Sequence, residues 1–304
     1  SAKKARSAEV NTFSPDLAHT DPQDYEMLSR LGAVTAASES RTAPVLAELR
    51  KAIDQFELML LYQPKVDLQT SRIVGIEALV RWPHPERGLL DPDEFLPMVR
   101  RSGLMGSLTD AVVNMALDDA LTFKQASFEV PIAVNVSAPL FADARLPARI
   151  ARALADRGLT GTALSLEITE DLLFGNMEKS RDVLDQLRRN GIRIAIDDFG
   201  SGYSTLSYLC ELHVDEVKLD RLLVAPVLDD ARVATVVRTI IGLARELGLT
   251  TVAEGIENAE VARRLADFGC DVGQGFFFSA PVPADEALRL LHDTRRIPDH
   301  SAGV

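Results

Sequence analysis

Cysteine is scarce in this chain: 2 among 304 residues, Cys210 and Cys270. So few thiols exclude a disulfide-built fold and fit free thiols in a reducing, cytoplasmic compartment. Histidine is nearly as sparse, at 5. Two of them, His84 and His213, have no partner pattern and read as structural. Positive charge is in deficit, with 33 Lys and Arg against 45 Asp and Glu, a net charge of −12. That argues against a polynucleotide partner, which demands a basic face. It leaves open a small nucleotide whose phosphates meet metal ions. No apolar run approaches the ~18–20 residues that span a bilayer, so no membrane insertion is expected. The opening SAKKARSA is basic but leads into no apolar core, as a signal peptide would. Residues 1–45 also lack periodic hydrophobicity and read as a linker.

What is present is a globular composition, 46% hydrophobic, in a chain long enough for one barrel or two smaller domains. Helical spacing begins near Pro44 with Val45, Leu46, Leu49 and Ile53. The run ELMLLYQP reads as a strand. KVDLQTSRIVGIEALVRW reads as two strands around a polar turn at Gln69 to Arg72, which makes the first strand antiparallel to its neighbour. From Pro92 the periodicity predicts helices over about 92–101, 106–126, 144–157, 177–190, 229–247, 258–267 and 284–292. Between them it predicts strands over about 130–136, 163–169, 192–197, 214–219, 249–253 and 271–274. Gly158, Gly191, Gly248 and Gly269 follow helix patterns where a left-handed cap is expected. This alternation implies right-handed crossovers and a parallel sheet with enough strands to close.

Seven of the apolar runs end in a carboxylate, an amide or a lysine. IEALVRW carries Glu77 and Arg81, IAVNVS Asn135, LSLEITE Glu167 and Glu170, and IRIAIDD Asp197 and Asp198. DEVKLD carries Lys218, TTVAEGIE Glu254 and Glu257, and VGQGFFF Gln274. In a barrel, C-terminal strand ends share one rim, and oxygen ligands crowded there repel one another unless hard cations lie between them. Glu77, Asn135, Glu167, Asp197, Asp198 and Glu254 all offer oxygen, which selects Mg²⁺ or Mn²⁺ over Zn²⁺ or Cu²⁺. The adjacent aspartates allow one carboxylate to bridge two ions. Such a pair stabilises the attacking and leaving oxygens of an in-line phosphoryl displacement. Lys218 could orient the water or offset the growing charge. The same acids also read as solvated caps of the helices that follow.

Arg81, four residues after Glu77, returns to the same strand face. It suits a phosphate oxygen or a surface pair with Glu86 or Glu94. Gly200-Ser201-Gly202 reads as a mobile loop rather than a phosphate cradle. Phe276, Phe277 and Phe278 read as core, with a stacking face for a base as the other reading. Asn135-Val136-Ser137 matches the glycosylation pattern, at a strand end expected to be buried.

The string Glu77-Ala78-Leu79-Val80-Arg81 is similar to the signature of EAL-domain cyclic-di-GMP phosphodiesterases. The resemblance extends in family order through YQPKVDL, GIEALVRWPHPERGLLDPDEFLP, VNVSA, LEITE, AIDDFGSGYSTLSYL, VDEVKLD, VAEGIE and GQGFFFSAP, over about residues 46–292. It implies an α/β fold, a TIM-like (β/α)8 barrel with one strand antiparallel to the others, and a short tail at 293–304. It implies two Mg²⁺ or Mn²⁺ ions per site. Glu77, Asn135, Glu167 and Asp197 would hold one; Asp197, Asp198 and Glu254 would hold the other. Lys218 would contact the attacking water, and Glu254, Glu170 and Gln274 would join it in the catalytic group. Glu170 would anchor the loop that begins at Asp198, with Glu257 in support. Gln63 and Arg81 would meet the cyclic dinucleotide, with Leu79 lining its site. The implied reaction is hydrolysis of cyclic di-GMP to linear 5′-pGpG, by a chain that forms homodimers.

Ser201, Thr205 and Phe276 depart from the commoner threonine, serine and tyrosine of the family. No metal ligand is missing. A receptor that binds cyclic di-GMP without turnover, and an unrelated barrel enzyme forming a metal-bound enolate, are the other readings. The second leaves the paired aspartates of DDFG unexplained. Ala2 to Arg6 followed by Val10 to Phe13 resembles the final helix and strand of a GGDEF domain. No GGDEF signature itself is present, so no cyclase activity is expected.

Overall fold

The computed structural model of the chain describes residues 45–169, 177–200 and 212–293. The chain divides into two units, Ser1–Leu49 and Arg50–Val304. Of the first, the described part is helical, the start of α1 (45–54). The second unit opens with β1 (Met59–Asp67) and β2 (Ile73–His84), paired antiparallel from Met59↔Arg81 to Val66↔Ile73. Their connection is too short for a parallel crossover, so the pair must be a hairpin. The Asp67 carboxylate holds its turn by accepting from the backbone N–H of Gln69 and Thr70 and from the Thr70 hydroxyl.

A short β3 (Gly88–Leu90) folds back on the end of β2. His84 serves this turn, its Nδ1 accepting from the backbone N–H of Glu86 and Arg87. Then follow α2 (Pro92–Ser102), α3 (Met105–Gln125), β4 (Ile132–Asn135), α4 (Leu146–Ala155), β5 (Leu164–Thr169), α5 (Met177–Arg189) and β6 (Arg193–Phe199). The chain continues through β7 (Glu216–Leu219), α6 (Arg221–Val224), α7 (Ala231–Glu246), β8 (Thr250–Ala253), α8 (Ala259–Asp267), β9 (Val272–Gly273) and α9 (Ala284–His292). Gly158, Gly191, Gly248 and Gly269 take the left-handed backbone expected after their helices. Among the described residues no helix is long and apolar enough to cross a membrane.

The strands run in the order β1-β9-β8-β7-β6-β5-β4-β2, and β1 pairs with β2 to close an eight-stranded barrel. β1 is antiparallel to both neighbours and the other pairs around the ring are parallel. The (β/α)8-type barrel that the resemblance implies is therefore the fold, and its reversed strand is the one read from the polar turn at Gln69 to Arg72.

Alternation along the strands splits them into two faces. One carries Ile132, Val134, Leu164, Leu166, Ile168, Ile194, Ile196, Val217 and Leu219, all buried. These meet the helices that ring the barrel: α3 packs on β4, α5 on β6 and α7 on β8. At about 1.5–3 kcal/mol for each such side chain, this layer is the main stabilising term. The other face points into the barrel and carries the buried polar groups. Gln63, Lys65, Glu77, Ser165, Glu167, Asp197, Glu216 and Lys218 are all buried.

The three phenylalanines divide. Phe278 is buried, but Phe276 is 72% exposed, so the reading of all three as core is corrected. The backbone turns sharply at Gly275, and consecutive side chains there cannot share one environment. Cys270 is buried and free. Its Sγ donates to the carbonyls of Thr251 and Val272, and burial pushes the thiol up to about 12. Cys210 lies outside the described residues.

Gly275 has φ +155°, and a Cβ there would lie 2.2 Å from the Ile256 carbonyl oxygen. Gly275→Ala is expected to cost about 2 kcal/mol or more, read as a lower denaturation midpoint. An unchanged midpoint would show that this turn relaxes freely.

Candidate active site

Inward positions near the C-terminal strand ends carry oxygen and nitrogen groups that meet. Lys218 Nζ, on β7, lies 2.6 Å from Glu167 Oε2 on β5 and 2.6 Å from Glu254 Oε1 just after β8. It lies 2.9 Å from Asp197 Oδ1 on β6 and 3.4 Å from Glu77 Oε2 on β2. Glu77 Oε1 accepts from Asn135 Nδ2, on β4, at 2.7 Å. Gln274 Nε2 donates to Glu77 Oε2 at 2.7 Å and to Gln63 Oε1 at 2.9 Å. Gln63 Nε2 in turn donates to the Ser279 carbonyl. Residues from 63 to 274 are thus drawn to one end of one barrel. Asn135 is exposed rather than buried, which corrects the expectation for that strand end: its side chain stands at the open mouth.

The paired aspartates need a special backbone. On a regular strand, successive side chains point to opposite faces. Here the β6–β7 register shifts: Ile196 pairs with Val217 and Phe199 with Leu219, so Asp197 and Asp198 together oppose Lys218. This is a bulge, and Asp198 takes φ +56° within it, a strained conformation for a non-glycine residue. The bulge brings carboxylate oxygens of Asp197, Asp198 and Glu254 within 4.8 Å of one another.

Five carboxylates (Glu77, Glu167, Asp197, Asp198 and Glu254) surround one ammonium at this end, and the electrostatics record the excess. Burial, opposed by Lys218 and aided by Asp197 and Glu77, pushes Glu254 up to about 8. Burial, Asp197 and a hydrogen bond with Asp220 push Asp198 up to about 6. Burial and the nearby Glu167 also raise Glu77. Glu167 is the exception. Its burial opposes ionisation, but Lys218 and Lys65 together hold it at about 2. Burial would strip Lys218 of its proton, yet Asp197, Glu167, Glu254 and Glu77 hold it on, well above ordinary lysine.

A hard divalent cation fits these residues. The donors are all oxygen, their surplus negative charge is what such an ion would neutralise, and Gln274 Oε1 is buried without a partner among the described residues.

The remaining predicted residues are spread more widely. Arg81 is directed to Asp91, with Nε 2.9 Å from its Oδ1. Of the two readings for Arg81, the surface pair with Glu86 or Glu94 is corrected to Asp91, since Glu94 takes Arg87 instead. Leu79 is half-buried on β2, and Glu257 is exposed after β8. Glu170 and most of the loop after Asp198 lie outside the described residues. Three groups were missed. Lys65 lies two residues past Gln63 on the same face of β1, and Glu216 two before Lys218 on β7. Asp220 caps α6 by accepting from the Leu222 N–H and touches Asp198. The strand period was the signal that could have found the first two.

The family profile described as EAL domain matches residues 46–281. The chain is similar to MucR of Pseudomonas aeruginosa, a bifunctional diguanylate cyclase/cyclic di-GMP phosphodiesterase. The two are 37% identical over 83% of this chain and 37% of that protein. It is also similar to the cyclic di-GMP phosphodiesterase NbdA of the same organism, at 38% identity over 78% of this chain and 30% of that protein. Among solved structures, the MucR phosphodiesterase in complex with c-di-GMP superposes with a TM-score of 0.76. That match has 37% identity and covers 80% of this chain and 99% of that one. The chain belongs to the EAL-domain family. It spans about 30–40% of the length of the curated relatives it matches.

Folded Glu254 keeps its proton up to about 8, against an ordinary value of 4.5. Metal-free stability therefore falls as pH rises between those values, because the native state binds the extra proton. In EDTA, Glu254→Gln is expected to melt a few degrees above the parent at about pH 8, with a smaller gap at about pH 5. Mn²⁺ should raise the parent's Tm more than the variant's. A gap independent of pH would refute this account of the charge excess.

Proposed function

We propose that this chain is a phosphodiesterase that opens cyclic di-GMP to linear 5′-pGpG at the barrel mouth. The observation that carries the reading is the meeting of six oxygen-bearing side chains from five strands around Lys218. Support also comes from relatives named as cyclic di-GMP phosphodiesterases and from the c-di-GMP complex of MucR.

In this proposal Glu77, Asn135, Glu167 and Asp197 hold one divalent cation, and Asp197, Asp198 and Glu254 the second. When bound, Mg²⁺ or Mn²⁺ supplies Lewis-acid charge at the phosphoryl group and eases ionisation of a water. Water adds to phosphorus while the P–O3′ bond breaks, leaving a 5′-phosphate. The proton that water gives up balances the one the 3′-hydroxyl gains. Lys218 donates to the incoming oxygen and offsets charge that grows in the transition state. Gln274, steadied through its amide nitrogen by Gln63 and Glu77, turns its carbonyl oxygen toward that water. Arg81 exchanges Asp91 for a phosphate oxygen, and Gln63 and Leu79 line the dinucleotide. Glu170 and Glu257 support the loop after Asp198.

The test is product analysis after mixing the chain with cyclic di-GMP, with and without Mn²⁺. Metal-dependent pGpG is expected; bound but intact dinucleotide under both Mg²⁺ and Mn²⁺ would overturn the proposal. Glu77→Ala and Asp197→Ala should each lower kcat/KM by about a hundredfold or more, since each removes several kcal/mol of metal-borne charge stabilisation. Lys218→Met should lower kcat by about a hundredfold and leave KM nearly unchanged. A raised KM at unchanged kcat would make Lys218 a binding group instead.

A further inference from the structure

Below the site, the barrel interior holds a second lysine that the mechanism does not use. Lys65, on β1, donates from Nζ to Glu167 Oε1 at 2.6 Å and to Glu216 Oε1 at 2.7 Å. Glu167 Oε2 meets Lys218 at 2.6 Å. The two oxygens of one carboxylate are thus divided, one held from the floor and one presented to the mouth. The Lys65 side chain is 6% exposed and that of Glu167 0%, so both charges are buried. The lysine stem passes Gly75, its partner on β2, at a distance where even a Cβ would make only ordinary contact, 3.7 Å from Lys65 Cδ.

An arrangement serving stability alone would not need these charges. Buried ion pairs carry a desolvation penalty that apolar residues of similar volume avoid. The barrel is already held by its outer apolar layer. Lys65 and Glu216 also border a cavity of about 250 Å³ at the floor, with Arg193 and Thr250.

We propose that Lys65 is a positioning residue for Glu167. It pins Oε1 so that Oε2 faces the cations in one fixed geometry. The inference rests on the reading of Glu167 as a cation ligand. Partners that orient a metal ligand typically contribute about 10–100-fold to metal affinity or activity.

The experiment measures Mn²⁺ affinity by electron paramagnetic resonance, together with kcat and KM on cyclic di-GMP. Lys65→Met keeps the volume. Lys65→Met combined with Glu216→Gln removes an opposite charge as well, which protects folding should the single variant fail. Both are expected to bind Mn²⁺ about tenfold or more weakly and to lose kcat with little change in KM. Glu216→Gln alone should stay near the parent. In Lys65→Ala, methylammonium entering through the floor cavity should restore Mn²⁺ affinity and kcat, while tetramethylammonium should not. A purely structural lysine would give neither the affinity loss nor the rescue.

Folded variants whose Mn²⁺ affinity and kcat stay within twofold of the parent would overturn the proposal. A parent that binds Mn²⁺ in a Lys65-dependent way but leaves the dinucleotide intact would sustain it and sink the phosphodiesterase reading. A parent that binds no Mn²⁺ would end both.

Discussion

Like charges crowded in a place with little water govern this molecule. Five carboxylates converge on Lys218, and a single ammonium cannot neutralise them. The proton affinities show where the strain falls: Glu254 and Asp198 are driven up, while Glu167, gripped by two lysines, is held down. That contrast separates two kinds of acid in one site. Glu167, with a lysine against each oxygen, is the acid most firmly held ionised. Glu254 and Asp198 change state most readily and have most to gain from an added cation. An arrangement so unfavourable by itself makes physical sense when an outside charge completes it.

The fold tolerates this because stability and chemistry occupy opposite faces of the same strands. Leu166 and Ile168 pack outward against helices, while Ser165 and Glu167, which alternate with them, point into the barrel. The same holds on β7, where Val217 and Leu219 belong to the core and Glu216 and Lys218 to the interior. A change inside the barrel therefore reaches the site without dismantling the layer that holds the protein together.

Much of this was legible in the chain because period and punctuation carry it. Helix spacing, strand alternation and the polar turn at Gln69 to Arg72 were enough for a parallel sheet with strands to close and a reversed first strand; the (β/α)8 barrel itself was legible through the family resemblance. The strand-end acids were legible because one rim collects them. Lys65 and Glu216 share the strand faces of Gln63 and Lys218 by period alone, but that period does not tell a rim position from one deeper in the barrel. The bulge at Asp197 and Asp198 was also hidden. Two adjacent acids state nothing about register, and only pairing with β7 reveals that both oppose Lys218. For Arg81 the sequence left a phosphate contact and a surface pair with Glu86 or Glu94 both open; the β2–β3 hairpin carries it to Asp91, an acid that linear spacing did not single out. The exposure of Asn135 depends on where its strand stops relative to the mouth, which apolar runs locate only within a residue or two, and that of Phe276 follows from the turn at Gly275.

The irregularity in β6 has an evolutionary side. Loss of one codon from the aspartate doublet would let that strand pair evenly with its neighbour and would relieve the left-handed residue. Selection for a sturdier barrel and decay of the doublet therefore point the same way. Descendants that lost the need for chemistry would be expected to lose this kink early, gaining robustness as they did so.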